Sequence, residues 1–338
     1  MERHNLSFVP LLTAALGGSL LSFLLVKGDV LKQPTALKAP IATHPASASG
    51  CTRVIARVPG FKHVQPLLYS EPACESSHYE GLRSSIGSLV DQLKASGHIT
   101  SASVYVRDFR MGEWTWYNGA EPYDPGSLLK VPLLLTYLSM VQEDPSLLKR
   151  TWTCERNDFD VPQFTAFPSL KAQLNVSYTV EQLLNLSLVY SDNRATVMLL
   201  RHVPPARYIK TYTDLGLPAP GWDNKSYRMN VRDYSVFMKA LYNSSMLSPM
   251  KSEYALDLMT RSDFKLGLSA GLPAEVQVAH KFGEAGDQNE RQLHESGVVY
   301  ADGDPYLITV MTRGANTDSL ASAIASISRL VYERMRTP

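Results

Sequence analysis

Three short strings stand in order along this chain: Ser127-Leu-Leu-Lys130, Ser191-Asp192-Asn193 and Lys281-Phe-Gly283. If they act together, the fold must bring a helix start, a loop and a strand to one point from distant parts of the sequence. Each string alone is weak. Ser-x-x-Lys occurs four times, at Ser127, Ser146, Ser248 and Ser262, and Lys-x-Gly twice, at Lys265 and Lys281. Ser-Asp-Asn is unique and carries most of the specificity.

Context separates the copies. Ser127 follows Tyr123-Asp-Pro-Gly126, a turn signal, and precedes the apolar run Val131-Pro-Leu-Leu-Leu135, which reads as a buried helix. Pro132 falls in the first turn, where its missing N–H costs little. Ser127 is therefore placed at a helix N-terminus, with Lys130 one turn along the same face. Ser146, Ser248 and Ser262 sit in cap-like or polar settings. Lys281 ends the strand-like alternation Val276-Gln-Val-Ala-His280, whereas Lys265 leads into a stretch with no strand pattern. His280 reads as a structural strand-end histidine.

These residue types suit nucleophilic catalysis. A serine hydroxyl must lose its proton as it attacks, and a lysine of depressed pKa one turn away accepts it. Burial and a neighbouring cation depress a lysine in this way. Lys281 supplies such a cation and attracts an anionic substrate group. Ser191 can relay a proton to a departing nitrogen. Asn193 can bond both Lys130 and a substrate amide.

With these motifs in this order, the chain resembles the class A β-lactamase-related serine hydrolases, whose set is S-x-x-K, S-D-N and K-T-G. The resemblance covers about residues 79–336. It implies an α/β (α+β) fold: an antiparallel sheet flanked by terminal helices, with an all-helical lobe inserted at about residues 127–260. It implies Ser127 as nucleophile, Lys130 as acylation base, Ser191 as relay and Lys281 as electrostatic clamp. Asn193, Phe282, Gly283 and Glu284 then contact substrate, the backbone N–H groups of Ser127 and Glu284 forming the oxyanion hole. The periodicity agrees with that order. Leu82, Ile86, Leu89, Val90 and Leu93 make a helical stripe closed by Gly97. Residues 101–107 and 113–117 read as strands, and 297–300 with 306–312 as a hairpin around Asp302-Gly303. Leu320, Ala323, Ile324, Ile327, Leu330 and Val331 mark a last amphipathic helix.

Two departures from the family bear on function. Class A β-lactamases carry a glutamate on a loop after S-D-N that activates the deacylating water. This chain has no glutamate between Glu181 and Glu253, and Arg228 follows Gly216 by only twelve positions. Of the aspartates that remain, Asp214, Asp223 and Asp233, only Asp223 is placed to replace it, and loop capping is the preferred reading of that residue. Phe282 stands where the family has a small hydroxyl residue that helps hold the substrate carboxylate. It weakens the case for an ordinary penicillin and suggests a pocket for an apolar group. The expectation is acylation of a β-lactam or related amide with slow deacylation. A D,D-peptidase acting on peptidoglycan stem peptides is the alternative, and a non-catalytic wall-fragment receptor is an alternative of another class.

The N-terminal part reads differently. Residues 8–26 carry no charge, enough for one transmembrane helix, so residues 1–32 are expected to be an uncleaved anchor. Residues 33–50, rich in Pro, Ala, Ser and Thr, form a linker, and 51–78 an extension packed on the catalytic domain of 79–338. A single-pass protein with an extracytoplasmic domain is expected from the family's wall substrates, not from flanking charge. Cys51 and Cys74 bracket part of the extension, and whether they pair stays open. A net charge of +1 gives no reason to invoke nucleic acid. No C-x-x-C or H-E-x-x-H occurs, so neither a metal nor a cofactor is expected. A monomer is expected.

Overall fold

The computed structural model describes residues 53–57, 67–72, 74–159, 167, 170–221, 227–301 and 304–336. The anchor, the linker, Cys51 and Asp223 lie outside the described residues. Cys74 is disulfide-bonded and Cys154 is a buried free thiol. Among the described residues, no helix is long and apolar enough to cross a membrane.

In chain order the strands are β1 (Arg53–Arg57), β2 (Leu67–Pro72), β3 (Ser101–Asp108), β4 (Trp114–Tyr117), β5 (Thr151–Thr153), β6 (Ser177–Thr179), β7 (Gln277–Gly286), β8 (Arg291–Tyr300) and β9 (Tyr306–Gly314). The helices are α1 (Glu80–Ala95), α2 (Lys130–Glu143), α3 (Val180–Val189), α4 (Asn193–His202), α5 (Pro205–Asp214), α6 (Val231–Tyr242), α7 (Pro249–Thr260) and α8 (Thr317–Met335). Five strands form one antiparallel sheet in the order β4-β3-β9-β8-β7, while β1-β2 and β5-β6 are separate two-stranded antiparallel pairs.

The sheet is apolar on both faces, as a sheet covered on both sides must be. Along β3 and β9, Ala102, Val104, Val106, Ile308 and Val310 join the core that includes Leu82, Ile86 and Val90 of α1 and Ile324, Ile327 and Val331 of α8. The alternate residues Tyr105, Leu307 and Met311 join a second core with α2, α3 and α6. The helical lobe is thus inserted between β4 and β7, and the terminal helices cover the other face.

Helix α2 is buried almost all round, from Lys130 to Leu138 and again at Val141, which explains its near-continuous apolar sequence. Helix α3 starts at a capping box, in which Gln182 N–H donates to Thr179 Oγ1 (3.1 Å) and Thr179 N–H to Gln182 Oε1 (2.8 Å). Strand β8 begins at Arg291, well before the expected 297. Its first half is buried but polar, and Ser296 is satisfied by a 2.7 Å bond with Thr309, so its sequence lacks an apolar alternation. Ser262, read as part of a polar stretch, is buried. Lys265, the lysine of the second Lys-x-Gly string, is exposed.

Candidate active site

Ser127 lies in a single 3₁₀ turn, Gly126–Leu129, that runs directly into α2. N–H groups at such a start have no intrahelical acceptor. The turn is pressed against the edge strand β7. Gly126 has φ +51°, and a side-chain carbon there would overlap the Glu284 carbonyl oxygen. A carbon on Gly283 would come within 2.5 Å of Pro125 O and 2.8 Å of Leu128 N. Both glycines are needed for this approach. Because the Glu284 carbonyl faces Gly126, it points away from β8. In an extended strand the N–H of the same residue points the same way. Ser127 and the outward N–H of Glu284 therefore share one side of the β7 edge.

Lys130 opens α2 and is buried. Its Nζ donates to Ser191 O (2.6 Å), Ser191 Oγ (3.0 Å) and Asn193 Oδ1 (2.8 Å). Ser191 sits between α3 and α4 with φ +53°, a left-handed conformation costing a non-glycine residue about 1–2 kcal/mol. It turns both Ser191 oxygens towards Lys130. From β7, Lys281 Nζ donates to the same Ser191 Oγ (2.9 Å) and to Phe282 O (2.7 Å). The structure thus brings Lys130, Ser191, Asn193 and Lys281 into one hydrogen-bonded cluster beside the turn that carries Ser127.

Electrostatics follow from burial. Desolvation pushes Lys130 down to about 7, with Asp192 and Glu284 opposing the fall. Lys281 is held well below the ordinary lysine value, again by burial first and then by Lys130. Phe282 is buried, stacks on Phe264 (centroids 4.3 Å apart) and lies 4.0 Å from the Lys281 ammonium, measured to its ring centroid. Its contacts are made within the protein.

Several supporting residues escaped the sequence reading. Asp192 is the N-cap of α4 and accepts from Arg194 N, Ala195 N and Ala172 N (2.9 Å for the last), so the middle of Ser-Asp-Asn holds the loop. Its position just before a helix is a legible cap signal. His294 of β8 left no such signal. Buried and pushed down to about 3 by desolvation, it is neutral. Nδ1 accepts from Thr312 N (3.2 Å), so Nε2 carries the proton and donates to Asp124 O (2.9 Å). Gln292 Oε1 accepts from Asp124 N (3.1 Å), and Asp124 Oδ1 from Gly126 N (3.1 Å). Two side chains of β8 thereby hold the turn before Ser127. Beside them, His280 Nδ1 and Glu295 Oε1 stand 2.5 Å apart, and Glu295 Oε2 accepts from Leu268 N (2.7 Å).

Fold and cluster define a serine–lysine site at the junction of a sheet edge and a helical lobe, and comparison with known proteins agrees. The model of the "Beta-lactamase enzyme family" matches residues 83–335, and the chain belongs to that family. Among solved structures it is similar to PBP-A (21% identity, TM-score 0.63, covering 74% of this chain and 97% of that one). It is likewise similar to a PBP-A mutant described as an acyl-enzyme complex with penicillin G (22% identity, TM-score 0.65, 76% and 97% covered). A class A beta-lactamase from Mycobacterium abscessus is a third (20% identity, TM-score 0.62, 73% and 99% covered). At these identities the likeness establishes the β-lactamase/transpeptidase fold. No curated protein matches the sequence.

Proposed function

We propose that this chain is a serine hydrolase that opens a β-lactam or related amide through a Ser127 acyl-enzyme and releases the acyl group slowly. The observation that carries this reading is the double donation to Ser191 Oγ by Lys130 and Lys281. Two accepted bonds occupy both lone pairs of a hydroxyl, which leaves its own proton to donate outward. In this reading Lys130 on deprotonation gives up its donation to Ser191 O or Asn193 Oδ1, and the lone pair so freed takes the Ser127 proton while Ser127 Oγ bonds the carbonyl carbon. The oxygen that becomes negative lies against the N–H groups of Ser127 and Glu284. As the carbon–nitrogen bond breaks, Ser191 protonates the leaving nitrogen and is reprotonated from Lys130. Water then cleaves the ester and restores Ser127. Slow release is supported by the missing glutamate between Glu181 and Glu253. The uncharged run 8–26 supports a single-pass anchor, and the wall substrates that the family resemblance implies are what favour a domain outside the cytoplasm.

Intact-mass spectrometry of the purified chain tests the reading, following reaction with a penicillin, a cephalosporin and a fluorophosphonate over time. An adduct that is absent in Ser127→Ala and outlasts many minutes with a β-lactam is expected. No adduct with any of the three compounds would overturn it, and rapid loss of the adduct as drug is consumed would overturn the slow step.

A further inference from the structure

The turn that carries Ser127 is held from the sheet through Asp124, and a second attachment holds it from the helical lobe. Tyr234 of α6 is buried, and its Oη donates to Leu128 O (3.0 Å). Leu128 directly follows Ser127. In an α-helix its carbonyl would accept from the N–H four positions on, and that position is Pro132, which has none. The Lys130 N–H reaches the same carbonyl, but from only two residues on and shared with Ser127 O. Tyr234 thus brings from another helix a donor that Pro132 cannot supply. The Leu128 N–H in turn donates to Pro125 O (3.0 Å). Both peptide groups of Leu128 are therefore held, which restricts the backbone rotations just after Ser127. The start of α6 is registered to the same stretch of chain. Tyr123 and Met229 exchange backbone hydrogen bonds, 2.9 Å in each direction, and Arg228 Nη1 lies 3.4 Å from Asp124 Oδ2. Tyr234 lies one turn into α6, where its ring packs edge-on to Phe237 (centroids 5.7 Å apart). Bonds from β8 thus hold the turn ahead of Ser127, and Tyr234 holds it behind.

We infer that Tyr234 is a positioning residue for Ser127, its hydroxyl anchoring the nucleophile's turn to the helical lobe. The inference deepens the proposed acyl-enzyme reading and rests on it. The proton acceptor Lys130 opens a helix of the lobe, whereas the Glu284 N–H belongs to β7, so Ser127 has to be registered to both. A shift of about 1 Å in a reacting atom can cost about 10²-fold in rate, which is the scale on which a single anchor of the turn acts. Tyr234 touches no reacting atom itself.

Tyr234→Phe removes the hydroxyl and keeps the ring, and the loss of one hydrogen bond is small against the stability of a domain. Tyr137→Phe is the matched control. Tyr137 is equally buried and also donates to a backbone carbonyl, but that carbonyl, Leu199 O (2.6 Å), belongs to α4 and not to the turn. Labelling of Ser127 in the full chain, in detergent, would be timed by intact mass over a range of reagent concentrations. The reagent is whichever of a penicillin, a cephalosporin and a fluorophosphonate labels the parent fastest. Urea unfolding of each variant gives its folded fraction, and rates are taken per folded molecule, so lost stability alone cannot produce the expected result. Tyr234→Phe is expected to lower the limiting rate at least about tenfold and to leave the half-saturating concentration within about twofold. Tyr137→Phe is expected to stay within about twofold of the parent in both. An unchanged limiting rate in Tyr234→Phe, a loss carried by half-saturation alone, or an equal loss in Tyr137→Phe would overturn the inference. No Ser127 adduct in the parent from any of the three reagents would overturn the acyl-enzyme reading, and this inference with it.

Discussion

In the proposed acyl-enzyme reading Lys130 is the residue on which the chemistry turns, and burial sets its working range. A general base acts as the free amine, and desolvation has brought this amine down to about 7. Below that value the ammonium predominates and Ser127 keeps its proton; above it the amine is available. The acylation rate is therefore expected to rise with pH, pass half its maximum near 7, and level off. Lys130→Arg keeps the charge but cannot release it, and should slow acylation by about 10²–10⁴-fold. Timed labelling with a fluorophosphonate from about pH 5.5 to about pH 8.5 checks both. A flat profile, or a rate that falls with pH, would remove Lys130 from this role. The four polar members of the cluster were legible because their chemistry demands those residue types near one another. His294 was not, although it holds the turn before Ser127. A neutral buried histidine bonded to backbone leaves no trace in a single sequence, since its partners lie far away in the chain.

Legibility differs in the same way between elements. Helix α2 could be read from its apolar run and from the turn residues ahead of it, because both follow from local backbone preference. The pair β1-β2 could not, since what holds it is a long-range charge contact. Glu71 of β2 is buried and bonds three cations: Arg107 of β3 (2.7 Å), Lys239 of α6 (2.9 Å) and Arg232 of α6 (3.3 Å). Burial alone would raise the Glu71 carboxyl, yet Lys239 first, then Arg107 and Arg232, hold it below its ordinary value. Trp114 Nε1 adds a bond to Pro72 O (2.9 Å). Removing one partner of a buried pair leaves an uncompensated charge and costs about 3–5 kcal/mol. Glu71→Ala should therefore destabilise the domain by about that amount, because Lys239 is buried on a helix that cannot turn it to solvent. Urea denaturation reads this directly. A loss below about 1 kcal/mol would mean that the extension is a dispensable appendage.

The same buried groups give the whole molecule an unusual dependence on pH. Lys130 is lowered to about 7 and Lys239 to about 8, both by burial, and Lys281 lies well below its ordinary 10.5. Between those folded values and 10.5 the unfolded chain binds the additional protons, so stability rises with pH through that window. His294, lowered by burial to about 3 from 6.5, acts in the same sense at acid pH. Buried tyrosines act in the opposite sense. Tyr105, Tyr137, Tyr208, Tyr212, Tyr234 and Tyr306 are all raised above 10.0 by burial. Above pH 10.0 the unfolded chain loses those protons while the folded one keeps them, and stability falls again. The urea midpoint is therefore expected to climb from about pH 6 to a maximum near about pH 9–10 and then decline. Most single domains peak lower, between about pH 5 and 8, where paired carboxylates dominate. Here the buried lysines shift the balance, because the desolvation that would make Lys130 a base near neutrality in the proposed reading also withdraws stability from the fold at that pH. A maximum at or below about pH 7 would show that the folded protein keeps these lysines charged, which would also contradict the free-amine role of Lys130.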